Sequence, residues 1–119
     1  MTASWGGMGV LWNKEVAYIF IRPQRYTQEL LPNNEYFSLS VMGEEYRDVL
    51  NYLGSVSGRD ENKLEKANLA VTKDENGAPI IEEARLNIIV RKLFCQQMTE
   101  DAFVDKDLVD INYPNKDFH

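Results

Sequence analysis

The chain has 119 residues, with thirteen Lys and Arg against nineteen Asp and Glu, a net charge of −6, one cysteine and one histidine. That length fits a single domain over residues 1–119 with room for a core, and the acidic balance speaks against nucleic acid or an acidic membrane surface as partner. One cysteine excludes an internal disulfide, and the lack of a secretion signal or of ~18 continuous apolar residues leads us to expect a cytoplasmic protein with no membrane span.

The chain opens with "MTASWGGMGVLW", small residues and hydroxyls followed by Gly6, Gly7 and Gly9 among two tryptophans. Such a segment permits close backbone approach to a flat ligand, although a glycine-rich strand start with a core Trp reads the same way. "VAYIFI", Val16–Ile21, is β-branched, aromatic and apolar on both faces, which predicts a central strand covered on both sides. It ends in "RPQRYT", Arg22 to Thr27, a cluster of donors in an acidic chain. "RYTQELLPNN" predicts one or two helical turns, stopped by Pro32 and the Asn pair.

"YFSLSVM", Tyr36–Met42, alternates Phe37, Leu39 and Val41 with two serines, the period-two pattern of a half-buried strand. From Glu44 the period becomes helical through Tyr46, Val49, Leu50 and Leu53, and Gly54 stands where a helix C-terminus tolerates positive φ. "SGRD", Ser57–Asp60, matches a capping box for a second helix reaching about Ala67. "NLAVT" and "APII" flank Asn76-Gly77, a strong hairpin signal. "ARLNIIVRKLFC" predicts a long curved edge strand in which Cys95 is packed. The tail predicts one weak helix near Asp107 and a break at Pro114. Strands outnumber helices, so the expected class is mainly β with inserted helices.

A lone terminal histidine and a lone cysteine cannot assemble a zinc site or a Cys-His pair by spacing. Adjacent strand residues point opposite ways, so Glu44-Glu45 and Glu82-Glu83 read as solvated charge rather than dyads. Two segments offer anion-binding chemistry: Arg22, Gln24, Arg25, Tyr26 and Thr27 after the first strand, and Ser57, Gly58, Arg59 and Lys63 at a predicted helix start. These residues alone fit an exposed arginine pair beside an ordinary cap and a phosphate site equally well.

"MTASWGGMGVLW", "IRPQRYT" and "SGRDENK", in that order and at these separations, closely resemble the flavin reductase-like family of FMN-binding split-barrel proteins, the group that includes flavoredoxin. The resemblance runs over nearly the whole chain. It implies a split β-barrel, a homodimer with FMN near the subunit interface, and NAD(P)H as hydride donor. It also implies that Thr2, Ala3, Ser4 and Trp5 lie against the isoalloxazine ring. Arg22, Gln24, Arg25, Tyr26 and Thr27 would hold the phosphate, and Ser57, Gly58 and Lys63 would close round it. No side chain need act as acid or base, because the flavin carries the redox step. The resemblance implies a family strand before the "TASW" segment and further strand after the "DFH" equivalent, so the expected barrel is one without its first and last strands. The expected function is a flavin reductase-like oxidoreductase. The alternatives are a non-enzymatic flavin-binding or electron-carrier protein and a truncated barrel without ligand.

Overall fold

β1 (Gly6–Leu11) and β2 (Lys14–Ile19) form an antiparallel ribbon, paired from Gly6↔Ile19 to Leu11↔Lys14, in a computed structural model that describes Met1–His119. Trp12 and Asn13 join the strands with φ of 53° and 54°, the left-handed pair of a type I′ turn whose hand suits twisted strands. The strand expected over Val16–Ile21 therefore starts and ends two residues earlier. It is neither central nor covered on both faces: β1 is its one partner, and Tyr18 is 54% exposed. Its apolar run is half-buried apart from Tyr18, a degree of cover that periodicity cannot tell from full burial.

α1 (Thr27–Leu30) and a 3-10 turn (Leu31–Asn33) follow, with Pro32 in that turn and the chain extended again at Asn34. β3 (Tyr36–Val41) leads through a second 3-10 turn (Glu44–Tyr46) into α2 (Arg47–Ser55). α2 does not stop at Gly54; its extended cap is Val56. The next helix, α3 (Lys63–Lys66), starts later than the expected capping box. Asn62 is its cap, with Oδ1 accepting from Glu65 N–H at 3.4 Å, while the Ser57 hydroxyl accepts from Arg59 N–H at 3.2 Å in the preceding turn. A hydroxyl two residues from its donor makes a turn rather than a helix start.

β4 (Val71–Lys73) and β5 (Pro79–Ile81) form the hairpin expected around Asn76-Gly77. Asp74 Oδ1 holds its loop by accepting from the N–H groups of Asn76 at 3.0 Å and Ala78 at 2.8 Å. β6 (Leu86–Arg91) pairs antiparallel with β3 from Leu86↔Val41 to Arg91↔Tyr36. The predicted long strand ends there, because β3 begins at Tyr36 and offers nothing further to pair after Lys92 N–H reaches Glu35 O at 2.8 Å. Cys95, expected to be packed in that strand, is exposed beyond it.

A third 3-10 turn (Glu100–Ala102) and α4 (Asp107–Asn112) complete the chain. The tail carries more than a weak helix: Val109, Tyr113 and Phe118 form the buried cluster, with Met98 and Phe103 packed on it. Its rings meet tilted or edge-on, Tyr113 to Phe118 at 5.0 Å and Phe103 to Tyr113 at 5.8 Å between centroids, the separations aromatic pairs favour. The fold is mainly β with some helices. Its strands form three two-stranded sheets and do not close a barrel. No helix is long and apolar enough to cross a membrane.

Candidate functional site

Three segments distant in sequence converge on the C-terminal turn of α2. Arg25 Nη1 donates to Gly54 O at 2.9 Å, and Lys63 Nζ donates to Leu53 O at 2.7 Å and Val56 O at 3.0 Å. The last carbonyls of a helix lack intrahelical donors and carry its negative dipole end, so two cations gather there. From the other side comes the N-terminal segment. A Cβ on Gly54 would stand 2.5 Å from the Thr2 hydroxyl oxygen, so a larger residue there would require the Thr2 side chain to turn away. Gly54 thus marks a close approach of Thr2 rather than a left-handed stop.

Neither Arg25 nor Lys63 is ion-paired. Half-buried Lys63 has its pKa lowered by burial and then by the Arg25 charge. The Met1 amino group is lowered by burial and then by Lys63 and Arg25, which places it in the same cationic neighbourhood. Arg25 has spent one of five N–H donors and Lys63 two of three, so both retain donors. Lys63 lines an open groove of about 490 Å³ together with Tyr26, Gly58, Arg59, Asn62 and Leu64 and the carboxylates Asp60 and Glu61. Gly58 shapes it: a Cβ there would come within 3.2 Å of the Tyr26 ring. Arg59 covers that ring at 5.3 Å and is ion-paired to Glu29. Two cations that retain free donors, Lys63 half-buried beside an open groove and Arg25 exposed next to it on the end of α2, suit an anion of phosphate type.

The remaining predicted site residues are placed differently. Arg22 Nη1 donates to Asp117 Oδ2 at 2.7 Å and Arg22 Nη2 to Asn112 O at 2.7 Å, and the guanidinium lies 5.0 Å over the Tyr113 ring. Gln24 Nε2 donates to the same Asp117 oxygen at 3.0 Å. Thr27 opens α1, and Ser57 holds the turn before α3. Ala3, Ser4 and Trp5 are exposed on the way into β1, Trp5 at 64%. Thr2, Arg25, Tyr26, Gly58 and Lys63 are thus brought together, while Arg22 and Gln24 face the tail. Sequence reasoning missed Asp117, whose carboxyl Arg22 and then Gln24 hold below the usual carboxylate range, and it missed Gly54 as a packing residue. The acidic pairs form no dyad: Glu45 pairs with Arg85, and Glu83 accepts from Ala70 N–H. No group of three His, Cys, Asp or Glu side chains is placed to hold a metal.

The sequence model of the flavin reductase like domain matches residues 1–102. Among solved structures, flavoredoxin of Desulfovibrio vulgaris (Miyazaki F) superposes with a TM-score of 0.73 at 23% identity, over 83% of this chain and 53% of that one. An FMN-binding protein from Thermus thermophilus, solved with bound p-hydroxybenzaldehyde, superposes with a TM-score of 0.68 at 28% identity, over 87% of this chain and 54% of that one. The chain spans about half the length of both. No curated protein matches it.

Proposed function

The chain belongs to the flavin reductase-like family, and from that premise we propose that it is a flavin-binding oxidoreductase of the split-barrel type, one domain over residues 1–119, with FMN as cofactor. The observation that carries this reading is the meeting of Thr2, Arg25 and Lys63 on the end of α2, beside a groove that Lys63 lines and with neither cation in an ion pair. Arg25 and Lys63 would anchor the phosphate by charge-assisted bonds, with Tyr26 and Gly58 as the wall. Thr2 to Trp5 would border the ring, where exposed backbone and hydroxyls can meet its polar edge. Bound there, the flavin would accept hydride from NAD(P)H, and the chain supplies orientation and electrostatics. A second copy of the chain completes the proposed assembly.

A second reading, a flavin-binding or electron-carrier protein without reductase activity, is favoured by the FMN-binding protein among the structural neighbours. NAD(P)H oxidation with added FMN separates the two.

The flavin site itself is tested at Arg25. Arg25→Ala should remove a charge-assisted bond and weaken FMN roughly ten- to a hundredfold. Riboflavin, which has the ring without the phosphate, should bind native protein more weakly than FMN and respond little to the substitution. Equal losses for both flavins would remove the phosphate role.

A further inference from the structure

Asp117 lies at the far end of the chain from the donors it serves. Its Oδ2 accepts from Arg22 Nη1 at 2.7 Å and from Gln24 Nε2 at 3.0 Å, while Oδ1 is buried without a partner. One carboxylate oxygen therefore gathers two donors flanking Pro23. The base of this contact is firm, because Phe118 beside it and Tyr113 before it belong to the buried aromatic cluster. Arg22 is held twice more, by Asn112 O at 2.7 Å and by the Tyr113 ring. On the other side, Arg25 N–H donates to Arg22 O at 3.0 Å, closing a four-residue turn. Arg25 then reaches Gly54 O. The path from aromatic core to carboxylate to turn to Arg25 is continuous, and every link is a named bond.

We propose that Asp117 is a positioning residue for the phosphate end of the site: through Arg22 and Gln24 it fixes the Arg22–Arg25 turn and so aims Arg25 at the end of α2. This rests on the reading of Arg25 as a phosphate ligand. Arg22 belongs to this clamp, its charge neutralised by Asp117 and its guanidinium held by Asn112 O and the Tyr113 ring of the tail. Losing the carboxylate would leave a half-buried guanidinium without its anion and an untethered Gln24, and the turn would sample other conformations. Affinity for a phosphate would fall, because Arg25 would have to be ordered on binding.

Asp117→Asn, which keeps the shape and removes the charge, tests this in two arms. In the first, FMN and riboflavin are titrated against native, Asp117→Asn, Arg25→Ala and double-variant protein. Asp117→Asn should weaken FMN about tenfold and riboflavin by less than about twofold, and should add little in the Arg25→Ala background. In the second, amide exchange is followed without flavin. The Arg25 amide should exchange at least about tenfold faster in Asp117→Asn, while the Glu82 amide, bonded to Ala70 O, keeps its native rate. Unchanged exchange at Arg25, equal loss of both flavins with a lower Tm, or an undiminished effect in the Arg25→Ala background each overturn the proposal. Faster exchange at Arg25 with no FMN preference in native protein leaves the clamp standing and removes the phosphate reading instead. Gln24→Met, which deletes one exposed donor and keeps the carboxylate, repeats both arms with smaller effects should Asp117→Asn fail to fold.

Discussion

Lys63 reports on the site through its proton. Burial and the Arg25 charge lower its pKa in the free protein, so it loses its charge at a lower pH than an ordinary lysine near 10.4. Between the depressed value and the ordinary one, the unfolded chain binds more protons than the folded chain. The Lys63 contribution to stability therefore rises with pH through that window. Binding of a dianionic phosphate should run the other way, since it favours the charged ammonium. The ratio of FMN to riboflavin affinity should climb as the phosphate loses its second proton near pH 6 and fall again as Lys63 discharges. Fluorescence titrations across that range, repeated with Lys63→Gln, check this; an alkaline fall that persists in the variant would detach Lys63 from the phosphate. Trp5 offers a second local report. It is 64% exposed beside Thr2, whereas Trp12 sits in the ribbon turn. If the ring lies along Thr2 to Trp5, FMN should quench tryptophan emission strongly in native protein and weakly in Trp5→Phe. Equal quenching in both would move the ring away from this segment.

Among the elements, two side chains join β4–β5 to β3–β6: the Ser38 hydroxyl donates to Pro79 O, and Asn87 makes the larger set of bonds. Asn87 Nδ2 donates to Ile81 O at 2.9 Å, and its Oδ1 accepts from Ile81 N–H at 3.2 Å and Ser40 Oγ at 2.7 Å. The amide thus behaves as an extra strand residue joining two sheets. Asn87→Leu leaves the Ile81 N–H unpaired, while Ile81 O keeps the Ala84 N–H at 3.2 Å, which should cost about 1–3 kcal/mol in urea unfolding and speed exchange of the Ile81 amide. Stability unchanged within about 0.5 kcal/mol would show that water or backbone replaces the amide. Local signals made most of these elements legible. The alternation of Phe37, Leu39 and Val41 marked β3, and Asn76-Gly77 marked the β4–β5 loop, since side-chain period and turn chemistry are written in adjacent residues. The Trp12-Asn13 turn was not legible, because Trp is a poor left-handed residue and only the pairing of β1 with β2 forces it there. The helix start at Asn62 lost to a better-looking cap at Ser57 for the same kind of reason. At the site, Arg25 and Lys63 were visible as donors within their motifs. That Asp117 takes Arg22, 95 residues earlier, no spacing rule can carry.

For the whole molecule, the quantity that argues is surface. The chain exposes 8737 Å², against about 6,600 Å² for a compact monomer of its length. Its radius of gyration is 15.6 Å, against about 13.5 Å expected. The difference of roughly 2,000 Å² exceeds the ~800 Å² per partner that a standard interface covers. Part of it is concentrated on the β1–β2 ribbon, where Met8, Val10, Leu11, Trp12 and Tyr18 are all exposed. A two-stranded ribbon is marginal alone, and unpaired edges invite another chain. The proposed second copy would supply an apolar layer and edge contacts to this ribbon, so sedimentation at micromolar concentration should show a dimer. Val10 makes the test sharp because it is 75% exposed in one copy. In a monomer Val10→Glu should change stability by no more than about 0.5 kcal/mol, as surface substitutions do. In a dimer that buries the ribbon, it places an unpaired carboxylate in an apolar contact, which costs several kcal/mol. The expected outcome is a native protein that sediments as a dimer and a Val10→Glu variant that dissociates and melts lower. A native monomer, well folded and indifferent to Val10→Glu, would leave the ribbon facing water and remove the second copy from the assembly.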